Sequence, residues 1–117
     1  MKSTVKKFGS VVLLAGIASL FTVGAVAGDV SKGKEVYEGT CVYCHGAGGG
    51  GEIPGTPDFN KADGVLAKTD AELVTNIMDG FESPGSAMPM PAKGGNPDLS
   101  EEDVANVLAY IRSEFGS

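Results

Sequence analysis

The sequence has few of the residues that most often build metal sites and disulfide frameworks. Its 117 residues include one histidine, two cysteines and no tryptophan. A structural zinc site takes four Cys or His ligands, and three such residues cannot complete it. Small secreted domains held by disulfides carry several cysteine pairs, and this chain has at most one. The sequence therefore excludes a zinc domain and a disulfide scaffold.

Basic residues are concentrated at the start of the chain. Lys2, Lys6 and Lys7 precede an apolar run at residues 11–26, and Ala25-Val26-Ala27 has the small-x-small form of a signal peptidase site. The run is shorter than the roughly 20 apolar residues that cross a bilayer, which disfavours an uncleaved anchor. We therefore predict a secretory signal peptide at residues 1–27, cleaved after Ala27, and a periplasmic location.

The remaining segment, residues 28–117, is short and acidic. It holds six basic and fifteen acidic residues, a net charge of −9, which argues against nucleic acid as a partner and favours proteins with basic patches. Its length predicts one domain, with a core too small to be stable without a disulfide, metal or cofactor. Since disulfides are scarce, a cofactor is the expected stabilising element.

Helical patterns separated by long loops predict an all-α fold. Residues 29–40 indicate a first helix, in which Gly33 is a position without a side chain. Thr69 and Glu72 form a capping-box pattern that opens a helix ending at Gly80, and Ser100 opens a last helix with acidic residues in its first turn. Residues 46–64 and 81–97 are rich in Gly and Pro and predict two large loops. No alternation long enough for a sheet is present.

The motif Cys41-Val42-Tyr43-Cys44-His45 has the C-x-x-C-H form of a c-type haem attachment site. Two thiols at this spacing can bond the two vinyl groups of one porphyrin, and the adjacent histidine can then bind the iron on the proximal side. A thioredoxin-type dithiol would need a βαβ context, which the sequence does not suggest. We therefore predict one covalent haem c on Cys41, Cys44 and His45.

The single histidine leaves methionine, lysine or an open site for the opposite, distal side of the iron. Met78 falls on the apolar side of the middle helix and is expected to be a core residue. Met88 and Met90 lie in the Pro-rich loop, where a fixed backbone can hold a thioether in place. Both are candidate distal ligands, although methionines also serve as gap fillers in irregular packing.

In its order of elements the chain resembles the class I cytochrome c family over nearly all of residues 28–117. The resemblance implies about three main helices and long loops wrapped around the haem, with Gly33 and Tyr37 packed near Tyr110. The family's Met-Pro-Ala and Gly-Gly pattern matches residues 90–95, so it implies Met90 as the distal ligand, with Met88 as the alternative. It also implies a proline carbonyl that accepts the proximal imidazole N–H. Pro57 matches that position best, with Pro54 second.

These features predict a soluble, monomeric electron carrier rather than an enzyme. The iron would exchange electrons with redox proteins that carry basic docking patches, and no small-molecule substrate would be transformed. One alternative is a haem sensor or small-ligand-binding protein with an open or displaceable distal site. Another is a haem subunit of a larger oxidase or dehydrogenase complex.

Overall fold

The structure is a computed structural model that describes residues 28–116. The predicted signal peptide, residues 1–27, lies outside the described residues together with Ser117, so cleavage after Ala27 stays a prediction. Within the described part the architecture is all-α, as expected from the sequence. No helix of this part is long and apolar enough to cross a membrane.

The first helical element is longer than predicted and changes its winding partway. Helix α1 spans Val30–Val36, a π-helical turn follows at Tyr37–Cys41, and helix α2 spans Val42–His45. The Asp29 carboxylate accepts hydrogen bonds from two amides and caps the start of α1. The predicted boundary at residue 40 was wrong, because the chain stays helical through the whole C-x-x-C-H motif before Gly46 ends it with φ +80°.

The other two helices follow the sequence prediction closely. Helix α3 spans Asp70–Asp79 and begins with the Thr69–Glu72 capping box. Helix α4 spans Glu101–Phe115, and its cap is also a capping box, because the Asp103 carboxylate accepts the Ser100 amide at 2.9 Å. One side of α4 is apolar and buried, and it consists of Val104, Val107, Leu108 and Ile111.

Helices α1 and α4 pack against each other with almost no space between their backbones. A Cβ atom at Gly33 would overlap the Asn106 carbonyl oxygen and lie 2.9 Å from the Tyr110 Cβ. The Tyr37 and Tyr110 rings lie 5.3 Å apart between centroids. The resemblance placed these residues together correctly, and the close approach explains why the position is a glycine.

Two long segments connect the helices and contain only short regular pieces. These are 3₁₀ turns at Val65–Ala67 and Ala92–Gly95, and an isolated antiparallel bridge between Phe81 and Met90. The Arg112 guanidinium on α4 donates to the Asp70 carboxylate at 2.6 Å and to the carbonyl oxygens of Leu66 and Lys68 at 2.9 Å each. This clamp holds the start of α3 and the preceding turn against α4.

Candidate functional site

The helices and the two long segments surround a cleft with mostly apolar walls. Residues from α3, α4 and the long segments reach it, among them Phe59, Leu66, Ile77, Val107 and Ile111. Both cysteines of the motif, His45, Met88 and Met90 also line it. The fold thus brings together residues that lie up to 71 positions apart in the sequence, from Thr40 to Ile111. Met78 is partly buried on α3 and is not among the lining residues.

The two cysteines are free thiols that lie partly buried in the cleft wall. Burial, assisted by the nearby Cys44, raises the pKa of Cys41 to about 11. Catalytic dithiols work through a thiol of lowered pKa, so the Cys41 environment does not suit a thioredoxin-type exchange reaction. Both thiols line the cleft, where they could bond a group bound within it.

The π-helical turn sets the direction of the motif relative to α1. The Val42 amide donates to the Tyr37 carbonyl, five residues back, so the turn contains one residue more than an α-helical turn. The Tyr37 hydroxyl also donates to the Gly46 carbonyl at 2.6 Å, from a side chain only 1% exposed. Tyr37 therefore bonds to Val42 within the C-x-x-C-H segment and to Gly46 directly after it, while its ring packs in the α1–α4 core.

His45 lies in the cleft as a neutral imidazole with unused bonding capacity. Burial lowers its pKa. Its Nδ1 atom is buried and has no hydrogen-bond partner among the described residues. Its ring stacks on Phe59, with 4.6 Å between centroids and 14° between planes. A buried polar atom without a partner is costly in an apolar site, and a neutral imidazole is the form that binds iron.

The prolines near His45 occupy different positions. Pro57 lines the cleft, whereas Pro54 is not among the lining residues and is exposed. The expected hydrogen bond from the imidazole to the Pro57 carbonyl is not formed in this structure. Pro57 remains the better placed of the two candidates.

The two loop methionines differ in how firmly the structure holds them. The Met90 amide donates to the Phe81 carbonyl at 2.8 Å, and the Phe81 amide donates to the Met90 carbonyl at 3.0 Å. The Met90 residue is partly buried. The Met88 residue is 53% exposed, and its carbonyl accepts a hydrogen bond from the Ser86 hydroxyl of the same loop.

Three contacts around the cleft were not predicted from the sequence. Phe59 stacks on His45. The Asn96 side-chain amide donates to the Thr40 hydroxyl at 3.3 Å, which joins the Pro-rich loop at residues 81–97, here called the distal loop, to the π-helical turn. Gly80 lies against the Met90 backbone. All three contacts depend on pairing between distant segments. Of the residues involved, only Phe59, an aromatic residue close to Pro57, could have been proposed from the sequence as a neighbour of His45.

The donor set fits a covalent haem: two free thiols, a partly buried neutral imidazole and apolar walls in one cleft. No group of three or more His, Cys, Asp or Glu side chains within residues 28–116 is arranged to hold a metal ion directly. Fold and site together define a c-type cytochrome domain.

Comparison with known proteins gives the family. A family model described as "Cytochrome C oxidase, cbb3-type, subunit III" matches residues 28–111. The chain is 39% identical to cytochrome c-555 of Prosthecochloris aestuarii over 88 residues, which cover 74% of this chain and 88% of that protein. It is 34% identical to cytochrome c6 of a Picosynechococcus strain over 114 residues, covering 88% of this chain and 90% of that protein.

A third relative is larger. The chain is 37% identical over 90 residues to the cbb3-type cytochrome c oxidase subunit FixP of Azorhizobium caulinodans, which covers 74% of this chain and 30% of that subunit. The chain belongs to the small monohaem cytochromes c. It is an electron-carrier protein, not an enzyme, with one covalent haem c.

Proposed function

We propose that this cytochrome is a periplasmic carrier whose haem iron is bound by His45 on one side and Met90 on the other. The observation that carries the ligand assignment is the pair of backbone hydrogen bonds between Met90 and Phe81. They tie Met90 to the residue that follows Gly80 at the end of α3. A methionine held this way can keep its sulfur in one place during oxidation and reduction.

The haem supplies an iron that accepts and releases one electron at a time. The protein residues hold it in place and control its surroundings. Cys41 and Cys44 provide the thioether bonds, and the apolar walls formed by residues such as Leu66 and Ile77 exclude water. Low solvent access and a methionine ligand both favour the reduced state and raise the reduction potential.

Pro57 is proposed to orient the proximal ligand. Its position in the cleft wall and the free Nδ1 atom of His45 support a hydrogen bond between the imidazole N–H and the Pro57 carbonyl once iron is bound. Such a bond would fix the ring and increase its basicity.

The proposed location and partners rest on the sequence. Residues 1–27 have the form of a signal peptide, which supports export to the periplasm after cleavage at Ala27. The net charge of −9 on residues 28–117 supports brief, salt-sensitive contacts of a monomeric carrier with redox proteins that carry basic patches.

The comparisons favour one second candidate, a haem domain that works within a terminal oxidase. Its support is the family model named for a cbb3-type subunit and the likeness to FixP. The likeness to c-555 and c6 along most of their length supports the diffusing carrier instead. Purification of the tagged protein from its own cells distinguishes the two candidates: a carrier elutes alone, and an oxidase subunit elutes with the haem–copper subunit.

The ligand assignment is tested with absorption spectra of the purified holoprotein, oxidised and reduced. Ferric haem with a methionine sulfur ligand has a weak near-infrared band. We expect this band in the wild type and in Met88→Ala, and its loss in Met90→Ala. Loss in Met88→Ala alone would assign the iron to Met88. Absence of the band in the wild type, with rapid carbon monoxide binding to the reduced protein, would favour the ligand-binding alternative.

A further inference from the structure

Gly80 ends α3 at a point where the chain passes unusually close to the distal loop. Its backbone has φ +85°, a conformation that side-chain-bearing residues rarely adopt. A Cβ atom at this position would lie 2.9 Å from the Met90 carbonyl oxygen and 3.0 Å from the Ala92 amide nitrogen. Both neighbours are backbone atoms and cannot rotate away. Only glycine therefore allows the observed approach.

The contact at Gly80 and the bridge at Phe81 act on the same carbonyl group. The Met90 carbonyl oxygen accepts a hydrogen bond from the Phe81 amide at 3.0 Å. The same oxygen lies against Gly80, at the place where a side chain of that residue would begin. The Lys68 ammonium lies 4.4 Å from the centroid of the Phe81 ring and adds a cation–π contact on the helix side. After Met90 the chain turns at once, because the Gly94 amide donates to the Pro91 carbonyl at 3.0 Å.

Met88 lacks comparable anchoring to the helices, although it lines the same cleft. Its carbonyl bonds only within the loop, to the Ser86 hydroxyl at 2.7 Å, and its side chain is largely exposed. The two methionines are two residues apart and chemically identical. They differ in how firmly the backbone at each position is held by hydrogen bonds to the rest of the protein.

We propose that Gly80 is a positioning residue that selects Met90 over Met88 as the distal ligand. This inference rests on the methionine ligation proposed above. A side chain at position 80 would push residues 90–92 away from α3 and weaken the paired hydrogen bonds. Met90 would then lose its fixed position, and Met88, which is not tied to α3, could reach the iron instead.

Gly85 supplies a matched control in the same loop. Its φ is +80°, almost equal to that of Gly80, but a Cβ atom there would meet nothing within 4 Å. Gly80→Ala and Gly85→Ala thus impose similar backbone strain, and only the first adds a clash with Met90. Comparing the two separates the effect of strain from the effect of the lost contact.

The experiment measures the near-infrared band and the midpoint potential of holoproteins with equal haem content. We expect Gly85→Ala to keep the wild-type band. We expect Gly80→Ala to keep a weakened band at a shifted potential, supplied by Met88, and Gly80→Ala with Met88→Ala to lose it. In a Met90→Ala background, which has no band while Gly80 holds the loop, Gly80→Ala should restore a weak band supplied by Met88. Gly80→Asn, which tolerates positive φ better but still carries a Cβ, should behave as Gly80→Ala and replaces it if that variant does not load haem.

The selection role is overturned if the Gly80→Ala, Met88→Ala double variant keeps the band and potential of Met88→Ala alone. It is also overturned if Gly85→Ala alters them as much as Gly80→Ala does. A wild type without the band, or one that keeps it in Met90→Ala, overturns the Met90 assignment itself. The single-methionine variants therefore separate failure of the ligand proposal from failure of the Gly80 proposal.

Discussion

The Phe59 ring lies nearly parallel to the His45 imidazole, with 4.6 Å between the ring centroids. On its other side Phe59 stacks on Phe115, at 5.9 Å, and Phe115 in turn contacts Tyr37 at 5.5 Å. The His45 ring is therefore supported by a row of rings that ends in the α1–α4 core. Its orientation depends on how that core packs.

Replacing Phe59 by leucine should loosen this support. Stacked rings contribute about 0.5–1.5 kcal/mol beyond the area that they bury, so we expect a loss of stability of that order. We also expect a shift in midpoint potential, because the imidazole can then rotate. Phe115→Leu is the control, since it removes a ring from the same row without touching His45. Equal potential shifts in the two variants would show that the stack on His45 has no specific effect.

Replacing Gly33 by leucine should be strongly destabilising, and even alanine should not fit. The added Cβ would overlap the Asn106 carbonyl, so α1 and α4 would have to separate, and overpacking of this kind costs about 1–3 kcal/mol. Gly39→Ala is the control, because a Cβ there meets nothing within 4 Å. Denaturant unfolding of the holoproteins measures both. A Gly33→Ala variant as stable as Gly39→Ala would contradict the packing described for α1 and α4.

Acid should weaken the cap of α4. Hydrogen bonds from the Ser100 amide and then the Ser100 hydroxyl lower the pKa of Asp103 below its usual value near 3.9. A carboxyl with a lower pKa in the folded state stabilises the fold above its unfolded pKa, and this contribution disappears as the pH falls through the folded pKa. The difference in melting temperature between wild type and Asp103→Ala should therefore narrow below about pH 4. A difference that stays constant from pH 7 to pH 3 would contradict this role.

The acidic surface should make electron transfer depend on the charge of the reaction partner. A cationic cobalt(III) complex should oxidise the reduced protein more slowly as salt rises, because salt screens the attraction over a Debye length of about 10 Å at 0.1 M. Anionic ferricyanide should react faster under the same change. Stopped-flow rates measure both. Salt effects of the same sign for the two oxidants would exclude electrostatic steering by the net charge of −9.

The parts of the structure that the sequence predicted are those with local causes. The capping patterns at Thr69 and Ser100 predicted the starts of α3 and α4. The C-x-x-C-H motif predicted Cys41, Cys44 and His45 as the haem-binding residues, and the structure places all three in the wall of the cleft. The π-helical turn at Tyr37–Cys41 was not predicted, because it depends on one extra residue held by the packing of Tyr37. The bridge between Phe81 and Met90 was also missed, since a single pair of hydrogen bonds leaves no periodic pattern.

The contact between the two ends of the domain has a consequence for how the chain folds. The Asp29 amide donates to the Asn106 side chain at 2.8 Å across a separation of 77 residues. The first helix is made early but finds its partner only after nearly the whole chain has been synthesised. Contacts of such long separation close slowly, since a large loop must be ordered first. We therefore expect the two cysteines to be more accessible to haem before this contact forms than after it.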